Sequence, residues 1–241
     1  MVGMGLSGVK DIQPVLCFIM STVSLDTSIQ GEIQAGVAWF DSISAEENNP
    51  HWPEMDHLAQ RLRAAHQGKQ PAAIEGLASA RSLYRQFGVD PTRHRPSSEA
   101  LLRRVLKNQD LYQINRVVDA INWASLDMLL PIGLYDVDKV QGNLVLRRGS
   151  EGEVYEGIRR GEIHLEKRLV VADNAGACGS PTADSLRTSV TPDTTRVVAI
   201  VFAGKDFAQA DLQEGLTRLR ERVVAWCGGS ETESYVLGTM D

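Results

Sequence analysis

The sequence predicts an α+β protein, with helices grouped in its first half and strands in its second. Apolar residues recur every three or four positions between residues 54 and 130, and again from 211 to 227, which is the period of an amphipathic helix. Between residues 144 and 202 they come instead in short runs separated by glycines, a pattern typical of strands. Because helices and strands do not alternate regularly, the pattern favours an α+β fold over a doubly wound sheet.

Four helices are predicted before residue 131 from apolar stripes at spacings of three and four, over residues 54–67, 72–87, 97–107 and 114–130. The second ends at Gly88, which suits a left-handed cap. The third begins after Ser97 and Ser98 with Glu99 in its first turn, which is the chemistry of a helix N-terminus. The fourth is stopped by Pro131, because proline cannot continue a helix.

Strands are predicted from short apolar runs at residues 14–20, 144–146, 154–155, 162–165, 169–171 and 197–202. Tyr135 and Asp136 follow the proline that ends the fourth helix and are expected to begin a further strand, with Asp136 capping a turn. A last packing helix is predicted over 211–227, before two glycines. Residues 230–241 are polar without a period, so a flexible tail is predicted there.

Composition and charge limit the classes of function that are open to the chain. Its 241 residues are 43% hydrophobic and 23% charged, a balance that excludes collagen-like, coiled-coil and wholly disordered proteins. It carries 25 Lys and Arg against 31 Asp and Glu, a formal net charge of −6. The chain therefore lacks the overall positive field that drives non-specific DNA binding, and any contact with nucleic acid must be local.

The cysteines and the apolar runs predict a cellular compartment. Cys17, Cys178 and Cys227 are far apart, odd in number and outside the spacings of metal sites, which indicates a reducing environment. The apolar runs at 14–20 and 197–203 are far shorter than the roughly 20 residues of a membrane helix. No secretory signal is recognisable at the N-terminus. We expect a cytoplasmic protein with neither a membrane nor a DNA partner.

Common catalytic motifs are missing from the sequence. It contains no Walker loop, no GxGxxG after a strand, no GxSxG elbow and no HExxH. Among the five histidines only His51 and His57 have a loosely ligand-like spacing, and a solvated surface explains them better than a metal site. We expect neither a metal nor an organic cofactor.

A local basic patch stands out in this acidic chain. It lies in the segment 88–107 and comprises Arg93, Arg95, Arg103, Arg104 and Lys107. Two interpretations are open: the patch docks a phosphate backbone, or it is a solvated helix face preceded by a turn. Composition alone favours the solvated face.

Four blocks of the sequence carry a family resemblance: FGVDPTRHRPSSEALLRRVLKN, INRVVDAINWASLDMLLPIGLYDVDKVQGNLVLRRGSEGE, RLVVADNAG and DSLRTSVTPDTTRVVAIVF. They resemble the B3/B4 domain, the editing domain of the phenylalanyl-tRNA synthetase beta subunit, and more closely the free-standing proteins built from that domain alone. The resemblance is strongest over residues 80–205. It implies one α+β domain over residues 1–229, with a mixed-sheet or sandwich core flanked by helices.

The resemblance also implies a pocket, which in the synthetase hydrolyses tyrosine wrongly esterified to the tRNA. Arg116, Asn122 and Pro131 match positions that line this pocket in the synthetase domain. The synthetase motif reads Pro-x-His-x-Phe-Asp, whereas this chain reads Pro-Ile-Gly-Leu-Tyr-Asp from Pro131. Gly133 therefore stands at the position of the pocket histidine. The free-standing members often lack this histidine too, which suggests that their ligand or chemistry differs from that of the synthetase.

Two further segments belong to the implied pocket. Residues 174–180 resemble a glycine-rich pocket loop, in which Cys178 would be a nucleophile only beside a base and otherwise a small hydrophobe. Residues 184–188 read Asp-Ser-Leu-Arg-Thr, and the free-standing proteins typically have Asp-Ser-x-Arg-Thr there. Their carboxylate, hydroxyl and guanidinium could hold the two ends of an amino acid, or could simply form a capped turn with an exposed ion pair.

These arguments lead to a set of candidate residues. The predicted catalytic residues are Asn122, Asp184 and Arg187, with Asn122 and Arg187 expected to line one pocket. The predicted substrate-binding residues are Arg116, Pro131, Gly133, Tyr135, Gly176, Cys178, Ser185 and Thr188. The basic patch is the predicted RNA-binding surface.

The favoured function is a free-standing editing-type hydrolase that acts on aminoacyl-tRNA or a related aminoacyl ester. Two alternatives remain. The first is a non-catalytic module that binds tRNA or an amino-acid-like ligand. The second is an enzyme that acts on an amino-acid-derived small metabolite in a biosynthetic pathway. The expected partner is accordingly a tRNA acceptor end or an aminoacyl small molecule.

Overall fold

The computed structural model describes residues 21–238, so the strand predicted at 14–20 and Cys17 lie outside the described residues. The helices are α1 (Trp52–Ala65), α2 (Ala78–Gln86), α3 (Ser97–Leu106), α4 (Arg116–Met128) and α5 (Gln209–Cys227). The strands are β1 (Val23–Leu25), β2 (Ile33–Asp41), β3 (Ile132–Asp136), β4 (Leu144–Arg148), β5 (Val154–Gly157), β6 (Gly161–His164), β7 (Leu169–Asp173), β8 (Gly176–Ser180), β9 (Ala183–Asp184), β10 (Val197–Gly204) and β11 (Ser230–Leu237). The predicted α+β class is confirmed.

The strands form two stacked sheets and a hairpin. The central sheet is antiparallel in the order β11-β2-β10-β3, and the outer sheet has the order β1-β4-β7-β8-β9. In the outer sheet β1 pairs with β4 in parallel, whereas the other pairs are antiparallel. The hairpin β5-β6 packs on the outer sheet through Tyr155, which contacts Leu165 and Val170. The mixed-sheet sandwich implied by the resemblance is therefore present.

The central sheet separates two hydrophobic cores. On β10, the odd-numbered residues from 197 to 203 pack against α1, α3, α4 and α5, while residues 198, 200 and 202 pack against the outer sheet. Successive side chains of a strand point to opposite faces, so a strand between two cores must be apolar throughout. This explains why the run 197–202 was recognisable as a core strand.

The ends of α4 follow the predicted chemistry. The side chain of Asn115 accepts a hydrogen bond from the backbone of Val118 and so caps the first turn. Leu129 then takes a left-handed conformation with φ of 55°, and Pro131 follows it. Trp123 of α4 and Trp226 of α5 are buried in the core under the helices.

Three local predictions are wrong. The helix predicted over 72–87 is regular only from Ala78, because residues 71–77 form two 3₁₀ turns. In those turns Gly76 lies against Leu129, where a Cβ would come within 2.6 Å of the leucine Cδ1. The pocket loop predicted over 174–180 is the strand β8 from Gly176 onward, since its backbone pairs with β7.

The third error concerns the C-terminal tail predicted to be flexible over 230–241. Residues 230–237 form β11, which pairs with β2 along nearly its whole length. The hydroxyl of Tyr235 also accepts a hydrogen bond from the backbone of Val23, at 3.0 Å. The polar residues of this segment are compatible with an edge strand because one side of the strand faces water.

Candidate functional site

The carboxyl of Asp184 lies where the outer sheet meets the edge of the central sheet. Its Oδ2 atom accepts a hydrogen bond from the backbone of Leu134 in β3, at 3.3 Å. Its Oδ1 atom is buried and has no hydrogen-bond partner among the described residues. Burial raises the pKa of Asp184 to about 7, although the hydrogen bond from Leu134 and the nearby Tyr135 hydroxyl act in the opposite direction. Asp184 was predicted to be catalytic, and this proton affinity suits that role.

The side chain of Tyr135 fills the space next to Gly133, the residue that the resemblance led us to expect in place of a pocket histidine. Tyr135 is fully buried, and a Cβ atom at either Gly133 or Gly179 would lie 2.3 Å from its hydroxyl oxygen. The hydroxyl makes no hydrogen bond of acceptable geometry within residues 21–238. Burial, with the nearby Asp184, raises the pKa of Tyr135 far above its ordinary value. A histidine at position 133 would be incompatible with this position of the tyrosine.

Tyr155 is a member of this region that sequence reasoning missed. Its hydroxyl donates a hydrogen bond to the carbonyl of Ala183 and lies 3.0 Å from the Ser180 hydroxyl oxygen. It thereby ties the hairpin β5-β6 to the residue that precedes Asp184. The strand at Tyr155 was predicted, but nothing in the sequence linked it to a residue 28 positions away.

Cys178 lies in the core between the sheets rather than in a pocket loop. Its side chain is fully buried, and its thiol donates a hydrogen bond to the carbonyl of Val171 at 3.4 Å. Burial, together with the charge of Asp173, raises the pKa of the thiol to about 12. The thiol is therefore protonated at neutral pH, and since the thiolate is the reactive form, the interpretation as a small hydrophobe fits Cys178 better.

The guanidinium of Arg187 is held by an ion pair. It donates two hydrogen bonds of 2.8 Å to the carboxylate of Asp173 and one of 3.3 Å to the carbonyl of Gly176. Burial alone would raise the pKa of Asp173, but the hydrogen bonds from Arg187 and from two backbone amides outweigh burial and lower it. The charge of Arg187 is thus largely neutralised, and any ligand would compete with Asp173 for it.

Ser185 and Thr188 support the turn that carries Asp184. The Ser185 hydroxyl accepts a hydrogen bond from the backbone of Arg187 at 3.1 Å, and the Thr188 hydroxyl donates one to the carbonyl of Cys178 at 3.2 Å. Both residues are buried. Within the Asp-Ser-Leu-Arg-Thr segment, the capped-turn interpretation therefore describes every residue except Asp184.

The predicted helical members of the site lie in another layer. Asn122 is half-buried on α4, which packs on the helix side of the central sheet, whereas Arg187 contacts the outer sheet. No contact joins the two within residues 21–238, so their expected common pocket stays a prediction. Arg116 pairs with Glu46 at 2.6 Å, and the carbonyl of Pro131 accepts a hydrogen bond from Phe202.

The basic patch is only partly free. Arg93 and Arg95 are exposed, as is Lys107. Arg103 pairs with Glu99 at 3.4 Å. Arg104 donates two hydrogen bonds to the carbonyl of Asp110, and its guanidinium stacks on the exposed ring of Tyr112, 4.2 Å from the ring centre. The sequence analysis had not singled out Tyr112.

The remaining polar groups include His51, one of the two histidines with a loosely ligand-like spacing. His51 stacks on the indole of Trp226 with ring centres 6.1 Å apart, and it lies 3.7 Å from Glu54. Over residues 21–238, no three His, Cys, Asp or Glu side chains are grouped as a metal site requires. In the same range, no helix combines the length and apolar character needed to cross a bilayer.

The geometry defines a class of protein: an α+β sandwich covered by helices, with a buried carboxyl between its two sheets. The family model described as "B3/4 domain" matches residues 79–214, which is more than half of the chain. The chain therefore belongs to the B3/4 domain family. The family assignment covers β3 and β10, as well as Tyr135 and Asp184.

Several curated relatives are phenylalanine–tRNA ligase beta subunits. The subunit from Bartonella quintana (strain Toulouse) is 28% identical over an alignment of 153 residues. That alignment covers 53% of this chain and 19% of that protein. The subunit from Nitrobacter winogradskyi is 27% identical over 199 residues, covering 71% of this chain and 24% of that protein. The chain thus spans about a fifth of the length of the curated relatives it matches.

Among solved structures, one similar chain is an N-terminal fragment of the phenylalanyl-tRNA synthetase beta subunit from Pyrococcus horikoshii. It is 14% identical, with a TM-score of 0.45, and the alignment covers 92% of this chain and 55% of that one.

Proposed function

We propose that the protein hydrolyses an aminoacyl ester, with aminoacyl-tRNA as the substrate class. The observation that carries this proposal is the Asp184 carboxyl, whose Oδ1 atom is buried without a partner and whose pKa is about 7. A carboxyl with this pKa can take up and return a proton at neutral pH. Membership of the B3/4 domain family and the similarity to phenylalanine–tRNA ligase beta subunits support the choice of substrate.

In the proposed reaction, a water molecule attacks the acyl carbon while Asp184 accepts a proton from that water. The bond between the acyl carbon and the ribose oxygen then breaks, and Asp184 returns the proton to the departing oxygen, so that a free amino acid and an intact RNA hydroxyl are released. The hydroxyl of Tyr135 has no partner of its own in residues 21–238. We assign it the role of donating a hydrogen bond to the ester oxygen during the attack.

The test is a deacylation assay on a panel of tRNAs, each charged with a different amino acid. We expect hydrolysis of at least one member, and we expect Asp184→Asn to slow it by about 10²–10⁴-fold because a general acid–base group is lost. Asp193→Asn makes the same chemical change at an exposed position and should leave the rate unchanged. Full activity of Asp184→Asn, or no hydrolysis of any member, would overturn the proposal.

A second candidate function is a non-catalytic module that binds tRNA or an amino-acid-like ligand. The observation that favours it is the position of Tyr135, which fills the space that a side chain at Gly133 would need. Binding of a charged tRNA without hydrolysis in the same assay would support this candidate. Hydrolysis of small aminoacyl esters but of no charged tRNA would retain the ester hydrolase and exclude tRNA as its substrate. In each case we propose that the protein acts in the cytoplasm.

A further inference from the structure

A basic cleft lies in the helical layer, between the last turn of α1, the last turn of α3 and the loop that follows α1. Its volume is about 520 Å³, which is within the range of ligand-binding clefts. We call it the α1–α3 cleft, and its lining includes five basic side chains: Arg63, His66, Lys69, Arg103 and Lys107. No Asp or Glu is among its lining residues. Such a concentration of one sign is unexpected in a chain of net charge −6.

The positive charges of the cleft are poorly compensated. Arg63, Lys69 and Lys107 make no side-chain hydrogen bond or ion pair with any residue that the structure describes. The Nε atom of Arg63 and the Nδ1 atom of His66 are buried without a partner in the same part of the chain. Burial and the charge of Lys69 lower the pKa of His66.

The helix ends explain only part of this charge. Cations near a helix C-terminus interact favourably with its carbonyl groups, which accounts for the charge of Arg63 at the end of α1 and of Arg103 and Lys107 at the end of α3. It does not account for Lys69, which lies in the loop beyond α1, or for the buried Nε of Arg63, which has no acceptor in residues 21–238. An unpaired buried donor costs free energy, and a bound anion would provide the missing acceptor.

A neighbouring cleft makes the site longer than a single anion requires. It has a volume of about 380 Å³, shares Arg63 with the α1–α3 cleft and is lined by residues 108–111 and 113. The exposed Tyr112, with Arg104 stacked on it, belongs to the same loop but lies outside the lining of the cleft. Asp56 and Asp110 line the second cleft, so phosphate is favoured in the first cleft and uncharged base or sugar groups in the second. Basic grooves beside an exposed aromatic ring are typical of surfaces that bind single-stranded nucleic acid.

We propose that the α1–α3 cleft binds a phosphate of an RNA backbone and that the strand continues toward Tyr112. This inference rests on the proposed function, from which it takes tRNA as the partner. It adds a second contact with the RNA, in a different layer of the fold from Asp184. It also extends the basic patch predicted from the sequence: Arg103 and Lys107 gain Arg63, His66 and Lys69 as neighbours from a segment 34 to 44 residues earlier.

The test compares two double variants in binding of uncharged tRNA at several salt concentrations. In Lys69→Gln/Lys107→Gln, two exposed charges of the cleft are removed. The control Arg85→Gln/Lys205→Gln removes two exposed charges elsewhere, neither of which makes a side-chain hydrogen bond or ion pair in the described structure. Each phosphate contact contributes about 0.7–0.9 to the slope of log K against log salt. We expect the cleft variant to lower that slope by up to about 0.7–0.9, the contribution of one phosphate, and to weaken binding several-fold, whereas the control keeps the slope.

The outcomes separate this inference from the proposed function. A reduced slope in a protein that hydrolyses nothing supports the cleft and overturns only the hydrolase. An unchanged slope in a protein that deacylates tRNA overturns the cleft and leaves the hydrolase standing. Inorganic phosphate is the third probe: if it binds the cleft at micromolar concentration while the variants bind tRNA like the wild type, the site recognises a small phosphate compound and the RNA assignment is wrong. Equal melting temperatures of the two double variants are the control for folding.

Discussion

At the scale of single residues, the burial of Asp184 has a consequence for stability. A carboxyl in the unfolded chain titrates near 3.9, whereas in the fold the pKa of Asp184 is about 7. The folded protein therefore binds this proton more tightly than the unfolded chain. The protonated carboxyl therefore makes its full contribution to the free energy of unfolding below pH 4, and this contribution is lost as the pH rises to about 7.

Replacing Asp184 by asparagine should remove this pH dependence. We expect Asp184→Asn to melt at nearly the wild-type temperature at pH 4 and several degrees above it at pH 8, because only the wild type must then bury a charge. The limit set by the pKa difference is on the order of 4 kcal/mol. Scanning calorimetry from pH 4 to pH 8 measures the difference. A constant difference between the two proteins over this range would show that Asp184 ionises normally.

The contact between Gly133 and Tyr135 gives a second expectation. The added methyl group of Gly133→Ala would meet the tyrosine hydroxyl at 2.3 Å, and overpacking of this kind costs about 1–3 kcal/mol. Removing the hydroxyl in Gly133→Ala/Tyr135→Phe should restore part of that loss. Urea unfolding of the single and double variants measures both effects. No recovery in the double variant would mean that the hydroxyl is not the obstacle.

The sequence could identify Asp184 as a candidate catalytic residue, but the environment of its carboxyl could not be predicted from the sequence. The segment Asp-Ser-Leu-Arg-Thr marked the residue, whereas its buried Oδ1 depends on β3, β8 and β9 coming together. The same folding places Cys178 in a core and binds Arg187 to Asp173. These long-range contacts decide which polar residues are available to a ligand and which support a turn.

At the scale of secondary-structure elements, the long strands β2 and β11 were not predicted. In β2 the residues Gln34, Ala35 and Gly36 interrupt the apolar pattern. The amide of Gln34 is nevertheless satisfied by the carbonyls of Lys205 and Phe207, at 2.9 and 2.7 Å. A Cβ at Gly36 would lie 3.0 Å from Leu216 of α5, so the small residue allows the helix to approach the sheet. Such features are compensated only in the folded chain, whereas the helices with regular stripes, α2 excepted, were predicted to within about two residues of their ends.

The edge strand β11 should contribute to stability although half of it is polar. A chain lacking residues 230–241 loses the ladder with β2 and the hydrogen bond of Tyr235 to Val23. We expect it to melt well below the full chain and to aggregate, because the uncovered edge of β2 can pair with other chains. A chain lacking only residues 239–241 is the control. Light scattering during thermal unfolding measures both effects, and identical behaviour of the two truncations would contradict the expectation.

At the scale of the whole molecule, β10 joins the two cores into one cooperative unit. Ile200→Ala opens the core between the sheets, and Leu219→Ala opens the core under the helices. Each should cost about 2–5 kcal/mol. Because both cores share the central sheet, we expect each variant to retain a single transition, with tryptophan fluorescence and far-ultraviolet circular dichroism changing together. Separate transitions in either variant would show that the layers unfold independently.

The hydrogen bond between Val23 and Tyr235 brings the first and last strands of the described chain side by side, although 212 positions separate the two residues. A domain whose first and last strands lie close together can be inserted into a loop of another polypeptide without separating the two halves of the host domain. The relatives that this chain matches are four to five times longer than the matched stretch. Joining the two strands by a short linker and opening the chain at an exposed turn, such as the one between β5 and β6, should therefore yield a circular permutant with the same topology.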